Sequence, residues 1–195
     1  MDVIAANHSA ADTVDKVLAT VPPDAWDRTS RCPEWTLRDV AAHVIWGRDV
    51  ITAAAGGQDE IAPWGTPGTP SPGQHLGGAD PAVEFHRARR AADAAMATGG
   101  LGLPGPEFLR RAKPEATAGD FATILVADLL AHAWDIGSAV GAPIEVDPEA
   151  LAFALSSTSG PIRAPGMFAD PVDVGPDATA YERFLGFLGR DPRPV

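Results

Sequence analysis

Asp128 and His132 stand four residues apart in a segment, Asp120 to Gly141, whose apolar residues Phe121, Leu125, Leu129 and Ile136 recur at helical spacing. On a helix the two project from one face, and that face is the apolar one. An ionised carboxylate buried there costs several kcal/mol or more unless a cation or hydrogen bonds compensate it. A divalent metal is one such cation, and imidazole with carboxylate is a typical ligand set for zinc and its neighbours. The plainer alternative is an Asp and a His that hydrogen-bond each other inside a core. His43 lies at the edge of a second helical stripe, Leu37, Val40, Ala41 and Val44, with Asp39 four residues before it. Two Asp-x-x-x-His pairs on two helices could converge as in carboxylate-bridged bundles. Asp39, however, falls in a first helical turn, where a carboxylate caps and complements the helix dipole. The expected metal set is therefore His43, Asp128 and His132, with an open position of the kind catalytic sites keep.

The elements that must position these residues follow from periodicity and punctuation. Ile4, His8, Ala11, Val14, Leu18 and Val21 outline a first amphipathic helix that Pro22 and Pro23 end. Thr36, with Asp39 at the third position, opens a second helix to about Ala55. Asp80-Pro81 starts a third, to Thr98, and Asp120 is expected to cap a fourth that Gly141 closes. Shorter helices are expected over 147–157 and 178–188. The Gly- and Pro-rich stretch Gly56 to Gly78 reads as a long loop, of the kind that is usually functional or mobile. It is expected to border the open face of the metal pocket, with Trp64 as a flat wall. No strand, repeat or domain linker is evident, so the chain 1–195 reads as one all-α domain, a bundle of four principal helices with one or two crossovers.

The segment Arg31-Cys-Pro-Glu-Trp-Thr-Leu-Arg-Asp-Val-Ala-Ala-His43 resembles the start of the metal-binding domain of mycothiol-dependent maleylpyruvate isomerases, within the DinB-like superfamily. Asp128-Leu-Leu-Ala-His-Ala-Trp-Asp-Ile-Gly-Ser-Ala-Val-Gly141 is a second match. The tail, Met167 to Val174 and Leu185 to Pro192, resembles the ending of stand-alone actinobacterial members. The resemblance implies a DinB-like four-helix bundle with long connections and short additional C-terminal helices. It also implies a metal held by a His on the second helix and a Glu-x-x-x-His pair on a later one, positions that fall on His43, Asp128 and His132. Asp128 departs from the more frequent Glu. The C-terminal domain of the full isomerase, which supplies part of that active site, is expected to have no counterpart here, so the exact isomerase reaction is not expected to carry over.

A formal net charge of −11 argues against a nucleic-acid partner, because phosphate binding needs clustered Lys and Arg. Arg87, Arg89 and Arg90 read as a solvated helix face. A single cysteine, Cys32, rules out an internal disulfide and fits a reducing cytoplasm. The acidic N-terminus lacks signal-peptide character, and no apolar run of membrane-spanning length is evident. His8, on the core side of the first helix, is the catalytic candidate, as base or substrate contact; a hydrogen-bonded core histidine is the plainer reading. Asp135, three residues past His132, either orients that imidazole or pairs at the surface. Trp35, Trp46 and Trp134 are expected to pack around the bundle, and Cys32 to be structural. By resemblance, the leading expectation is an enzyme in which a divalent metal, zinc in the first instance, activates mycothiol for S-transfer or isomerisation of a small-molecule substrate. The alternatives are a thiol-independent hydrolase, lyase or cyclase, and a metal- or ligand-binding protein without turnover. A homodimer stays open beside a monomer.

Overall fold

The computed structural model describes residues 1–58, 61–158 and 169–193. Met167 and Phe168 of the tail motif lie outside them, as do residues 59 and 60 of the long loop. Seven α-helices, and no strand among the described residues, make up the fold: α1 (Val3–Leu18), α2 (Leu37–Ala55), α3 (Pro81–Ala97), α4 (Glu107–Ala112), α5 (Ala118–Val140), α6 (Pro148–Thr158) and α7 (Ala180–Phe187).

Local chemistry sets most boundaries. The Asp2 carboxylate caps α1 by accepting the Ala5 N–H at 2.8 Å. Thr36 and Asp39 form a reciprocal capping box at the start of α2, and the left-handed Gly141 closes α5. Asp120 is not the cap of α5. Thr117 is, and Asp120 sits at the third position, its carboxylate accepting the Thr117 N–H at 2.8 Å. The short α4 was not anticipated: it is flanked by Pro104-Gly-Pro106 and too brief to display a period, and Phe108 fixes it against Trp46 and Phe121.

The principal packing pairs are α1 with α5, α5 with α2, α2 with α3 and α3 with α1. This places α1 and α2 at opposite corners of the bundle, and likewise α3 and α5. The connections 19–36 and 98–117 therefore run diagonally across its ends, which is why they are long. Ala6, Ala10, Val14 and Val17 form the buried stripe of α1, small enough for close approach to α5. In α5 that stripe comprises Leu125, Leu129, Leu130 and Ile136. By length and composition alone α5 is apolar enough to cross a membrane, but most of it is buried inside the protein, and Asp128, His132 and Asp135 interrupt its apolar run.

The Arg cluster of α3 is not simply solvated either. Arg89 pairs with Asp12 and Asp15 of α1, and Arg87 with Glu84 and with Asp49 of α2; Arg90 is exposed. Between the same helices Arg48 is fully buried, donating to Asn7 Oδ1 at 2.7 Å and lying 3.3 Å from Asp93. At the other end, α7 buries Phe184 and Leu185, and the Tyr181 hydroxyl donates to the Leu130 carbonyl at 2.7 Å. That anchorage brings the chain just beyond α7 back onto α5.

Candidate metal centre

Neighbouring helices α2 and α5 bring His43, Asp128 and His132 together, with one ligand atom from each within 4.8 Å of the others. His43 Nε2 lies 3.3 Å and His132 Nε2 3.5 Å from Asp128 Oδ1. A tetrahedral zinc with bonds of about 2.1 Å sets its ligand atoms roughly 3.4 Å apart, which these two separations match, although 3.3 Å is also the length of a His43–Asp128 hydrogen bond. The imidazole tautomers agree with that reading. His43 Nδ1 is 2.6 Å from the Gly65 carbonyl, which can only accept, so Nδ1 carries the hydrogen. His132 Nδ1 donates in the same way to Asp135 Oδ2 at 2.8 Å. Both Nε2 atoms therefore turn toward Asp128, and each imidazole is held by a hydrogen bond on its far nitrogen, the usual support of a metal-ligating histidine. The residues present fit one divalent ion.

Without a metal, electrostatics favours the charged forms of Asp128 and His132. Burial works to raise the Asp128 pKa, but His43 and His132 outweigh it and keep the carboxyl well below its usual range. Burial opposes the His132 imidazolium, yet Asp128 and Asp135 lift its pKa to about 9. The sign for metal-free protein follows. A histidine whose folded pKa is raised contributes stability that is fully present below its unfolded pKa of about 6.5 and lost as pH rises through the folded value. Metal-free protein is thus expected to lose up to about 3 kcal/mol between pH 6.5 and 9. Melting curves in chelator across that range check it, and a flat profile would refute it.

Asp135 is fully buried and does orient His132, one of the two roles open to it from sequence. What sequence did not reveal is Arg190, just past α7. Its Nε and Nη2 donate to the two Asp135 oxygens at 2.9 and 2.6 Å, completing a line from Arg190 through Asp135 to His132. Burial would raise the Asp135 pKa, but Arg190 and His132 keep it low.

The three ligand atoms open onto a cleft of about 320 Å³. Pro67 to Ser71 line one part of it, so the long loop borders the site as expected. The aromatic wall, however, is Trp35, not Trp64. Trp35 is 5.2 Å from the His43 ring and its Nε1 donates to the Thr69 carbonyl at 3.1 Å. Trp64 instead stacks on His75 and packs against the core. His8 is not brought to the cluster either. It sits 3.4 Å from Asp93 of α3, its side chain 42% exposed, and does not line the cleft. Asp39 has its capping box to hold and accepts the Gly73 N–H at 2.9 Å, which ties the loop to α2. Cys32 lines the cleft, but burial and the Asp135 carboxylate push its thiol up to about 11, against a smaller opposing effect of Arg190. At neutral pH it is a protonated thiol and a poor nucleophile.

Gly65 is where the loop touches the site. A Cβ there would stand 2.3 Å from Trp46 Cβ, so only glycine allows its carbonyl to reach His43. Gly65→Ala is expected to weaken divalent-metal affinity about 10–100-fold, the usual effect of losing such a support, with helicity retained. A metal titration alongside circular dichroism measures both, and unchanged affinity would show the Gly65 contact to be dispensable.

An all-helical bundle with a His/Asp/His cluster at the mouth of a cleft describes a class of helical domains that can hold one metal ion. The chain belongs to the mycothiol maleylpyruvate isomerase N-terminal domain family, whose model matches residues 8–137. Its fold is accordingly the DinB-like all-α fold. Two relatives, both uncharacterized proteins of Mycobacterium tuberculosis, from strains CDC 1551 / Oshkosh and ATCC 25618 / H37Rv, are 29% identical to it over 200 residues. Each alignment covers 99% of this chain and 100% of the relative. No solved structure matches significantly. The family match ends before Arg190, so the clamp on Asp135 comes from chain outside it.

Proposed function

We propose that this protein is a metal-dependent enzyme that uses a divalent ion, zinc in the first instance, held by His43, Asp128 and His132, to activate a small thiol of the mycothiol type. The observation that carries the reading is the convergence of two Nε2 atoms and one carboxylate oxygen on a point open to a cleft, with both Nδ1 atoms already engaged. A divalent ion held there would supply Lewis acidity, which would let a thiol ionise at neutral pH without a dedicated protein base. The chain's part is to fix the ligand geometry and limit water. His43 is fixed by Gly65, and His132 by Asp135. Trp35 and the prolines 67 and 70 wall the cleft, and Cys32 stays out of the nucleophile's role. The thiol would attack an electrophilic small molecule. The outcome is S-transfer if the adduct is kept, or cis–trans isomerisation if the thiol leaves after rotation about the attacked bond. A reducing cytoplasm suits such a co-substrate and a chain whose single cysteine is a free thiol.

The test is metal analysis of the purified full chain, then cobalt substitution and addition of mycothiol. About one equivalent of divalent metal per chain, and a sulfur-to-cobalt charge-transfer band on adding the thiol, are the expected results. Metal without a thiol-dependent band would overturn the thiol part of the proposal, and absence of stoichiometric metal would overturn it entirely.

A further inference from the structure

Two non-glycine residues on the cleft have left-handed backbone, each in a local hydrogen-bonded turn. Among the described residues, Glu34 (φ 68°) and Ser71 (φ 48°, ψ 53°) are the two non-glycines in the left-handed region; the other positions with positive φ are all glycine. Left-handed backbone brings the Cβ of an L-residue against its own carbonyl, a cost that glycine escapes. Glu34 occupies the third place of the turn Cys32–Trp35, closed by the Trp35 N–H on the Cys32 carbonyl at 3.2 Å, with Pro33 second. That is the pattern of a type II turn, whose third place favours Gly or Asn. Ser71 precedes Pro72, which adds its own restriction.

Both strained residues line the same cleft, from segments far apart in sequence. Neither side chain makes a hydrogen bond or ion pair with another described residue that would offset the strain. Strain of this kind concentrates where a side chain serves binding or catalysis. The charge pattern narrows what is bound. Of the ionisable groups on the cleft, Arg190 is held by Asp135, Cys32 is a protonated thiol at neutral pH, and His43, Asp128 and His132 belong to the metal set. Glu34 is left as an exposed carboxylate without a partner among the described residues, next in sequence to the Trp35 ring that walls the cleft. A carboxylate and an aromatic ring lining one cleft suit an ammonium group, and the Ser71 hydroxyl adds a hydrogen-bond acceptor.

We infer that Glu34, with Trp35 and Ser71, forms a cation subsite of the cleft, selecting ligands that carry an ammonium group at one end and a metal-seeking atom at the other. The inference rests on the proposed metal-binding role of the cleft, and it assigns Glu34 to specificity rather than to the chemical step.

The experiment uses the full chain loaded with cobalt and two pairs of ligands that differ in end charge: cysteamine against 3-mercaptopropionate, and histamine against imidazole-4-acetate. Affinities are read from the cobalt spectrum for wild type, Glu34→Gln and Glu34→Gly. Within each pair that binds, both variants should lower the preference for the ammonium ligand at least about threefold, the range expected for a partly solvated charge pair. Glu34→Gly should in addition raise the melting temperature of metal-free protein by about 2–4 °C, as relief of a strained residue would in a chain of this size. A site that only needs the turn would instead give variants with unchanged charge preference, which overturns the inference. So does a Glu34→Gly protein no more stable than wild type. If the imidazole pair shows the preference but neither thiol binds, the thiol reading fails and the subsite stands. If no ligand binds at the metal, both fall.

Discussion

Asp128→Ala is expected to lower divalent-metal affinity a hundredfold or more while leaving the helices intact. A four-ligand zinc site is worth roughly 10–16 kcal/mol, so one ligand accounts for about 3 kcal/mol, and each 1.4 kcal/mol is a factor of about ten. Asp128 supplies the only carboxylate of the set, so its loss also removes the charge that offsets the cation. Folding should survive. The side chain faces the cleft, 22% exposed, and the stripe that packs α5 is carried by Leu125, Leu129 and Ile136. Asp128→Glu makes the informative contrast, because the carboxylate is kept and the extra methylene has the cleft to extend into. That variant should hold metal at least as well as wild type. Equilibrium dialysis with metal analysis, alongside circular dichroism, reads both outcomes. Unchanged metal content in the Ala variant would remove Asp128 from the coordination shell.

How much of this site was legible depends on how local each signal is. The Asp128/His132 pair and the helix that carries it could be read directly, because a four-residue spacing on an apolar stripe is a property of one segment. His43 needed more: its own helix marks it only as a residue at the edge of a stripe, and it joined the set because a second Asp-x-x-x-His pair offered a partner helix and Asp39 of that pair fell to capping; the family resemblance then pointed to the same position. The boundaries at Thr36, Pro81 and Gly141 followed from capping and punctuation, which act within a few residues. The same Thr-x-x-Asp signature stood at Thr117 and Asp120, yet the acidic residue is equally common as a cap, and the two roles separate only when the hydrogen bonds are visible. Tertiary choices were out of reach. His8 borders the α1 stripe in a helical projection, but α1 meets both α5 and α3, and the side chain turned toward Asp93 on α3. Trp35 and Trp64 are both aromatic residues in loops near the site, and no local pattern says which of them packs inward and which walls the cleft. Nor does any pattern within the tail announce that Arg190 meets Asp135, a residue 55 positions earlier.

That Arg190–Asp135 contact leads to the second large effect. Arg190→Ala is expected to destabilise the protein by about 3–5 kcal/mol, because it leaves a buried carboxylate without its charge partner. Asp135 is fully buried, and the Arg190 side chain is 13% exposed, so solvent can do little to replace the lost pairing. The same change should weaken metal binding about 10–100-fold, since Asp135 fixes the orientation and tautomer of His132 only while it is itself held in place. Arg190→Lys keeps the charge but not the two-pronged geometry, so it should fall between wild type and Ala on both measures. A double variant separates a line of contacts from two independent supports. If Arg190 acts on the metal through Asp135, then Asp135→Asn combined with Arg190→Ala should cost much less metal affinity than the two single effects added together. Denaturant unfolding of metal-free protein and a metal titration of each variant supply the numbers. Additive losses would mean that Arg190 influences the cleft by a separate route. An Arg190→Ala protein that melts and binds metal like wild type would show that the C-terminal segment rests against the site without supporting it.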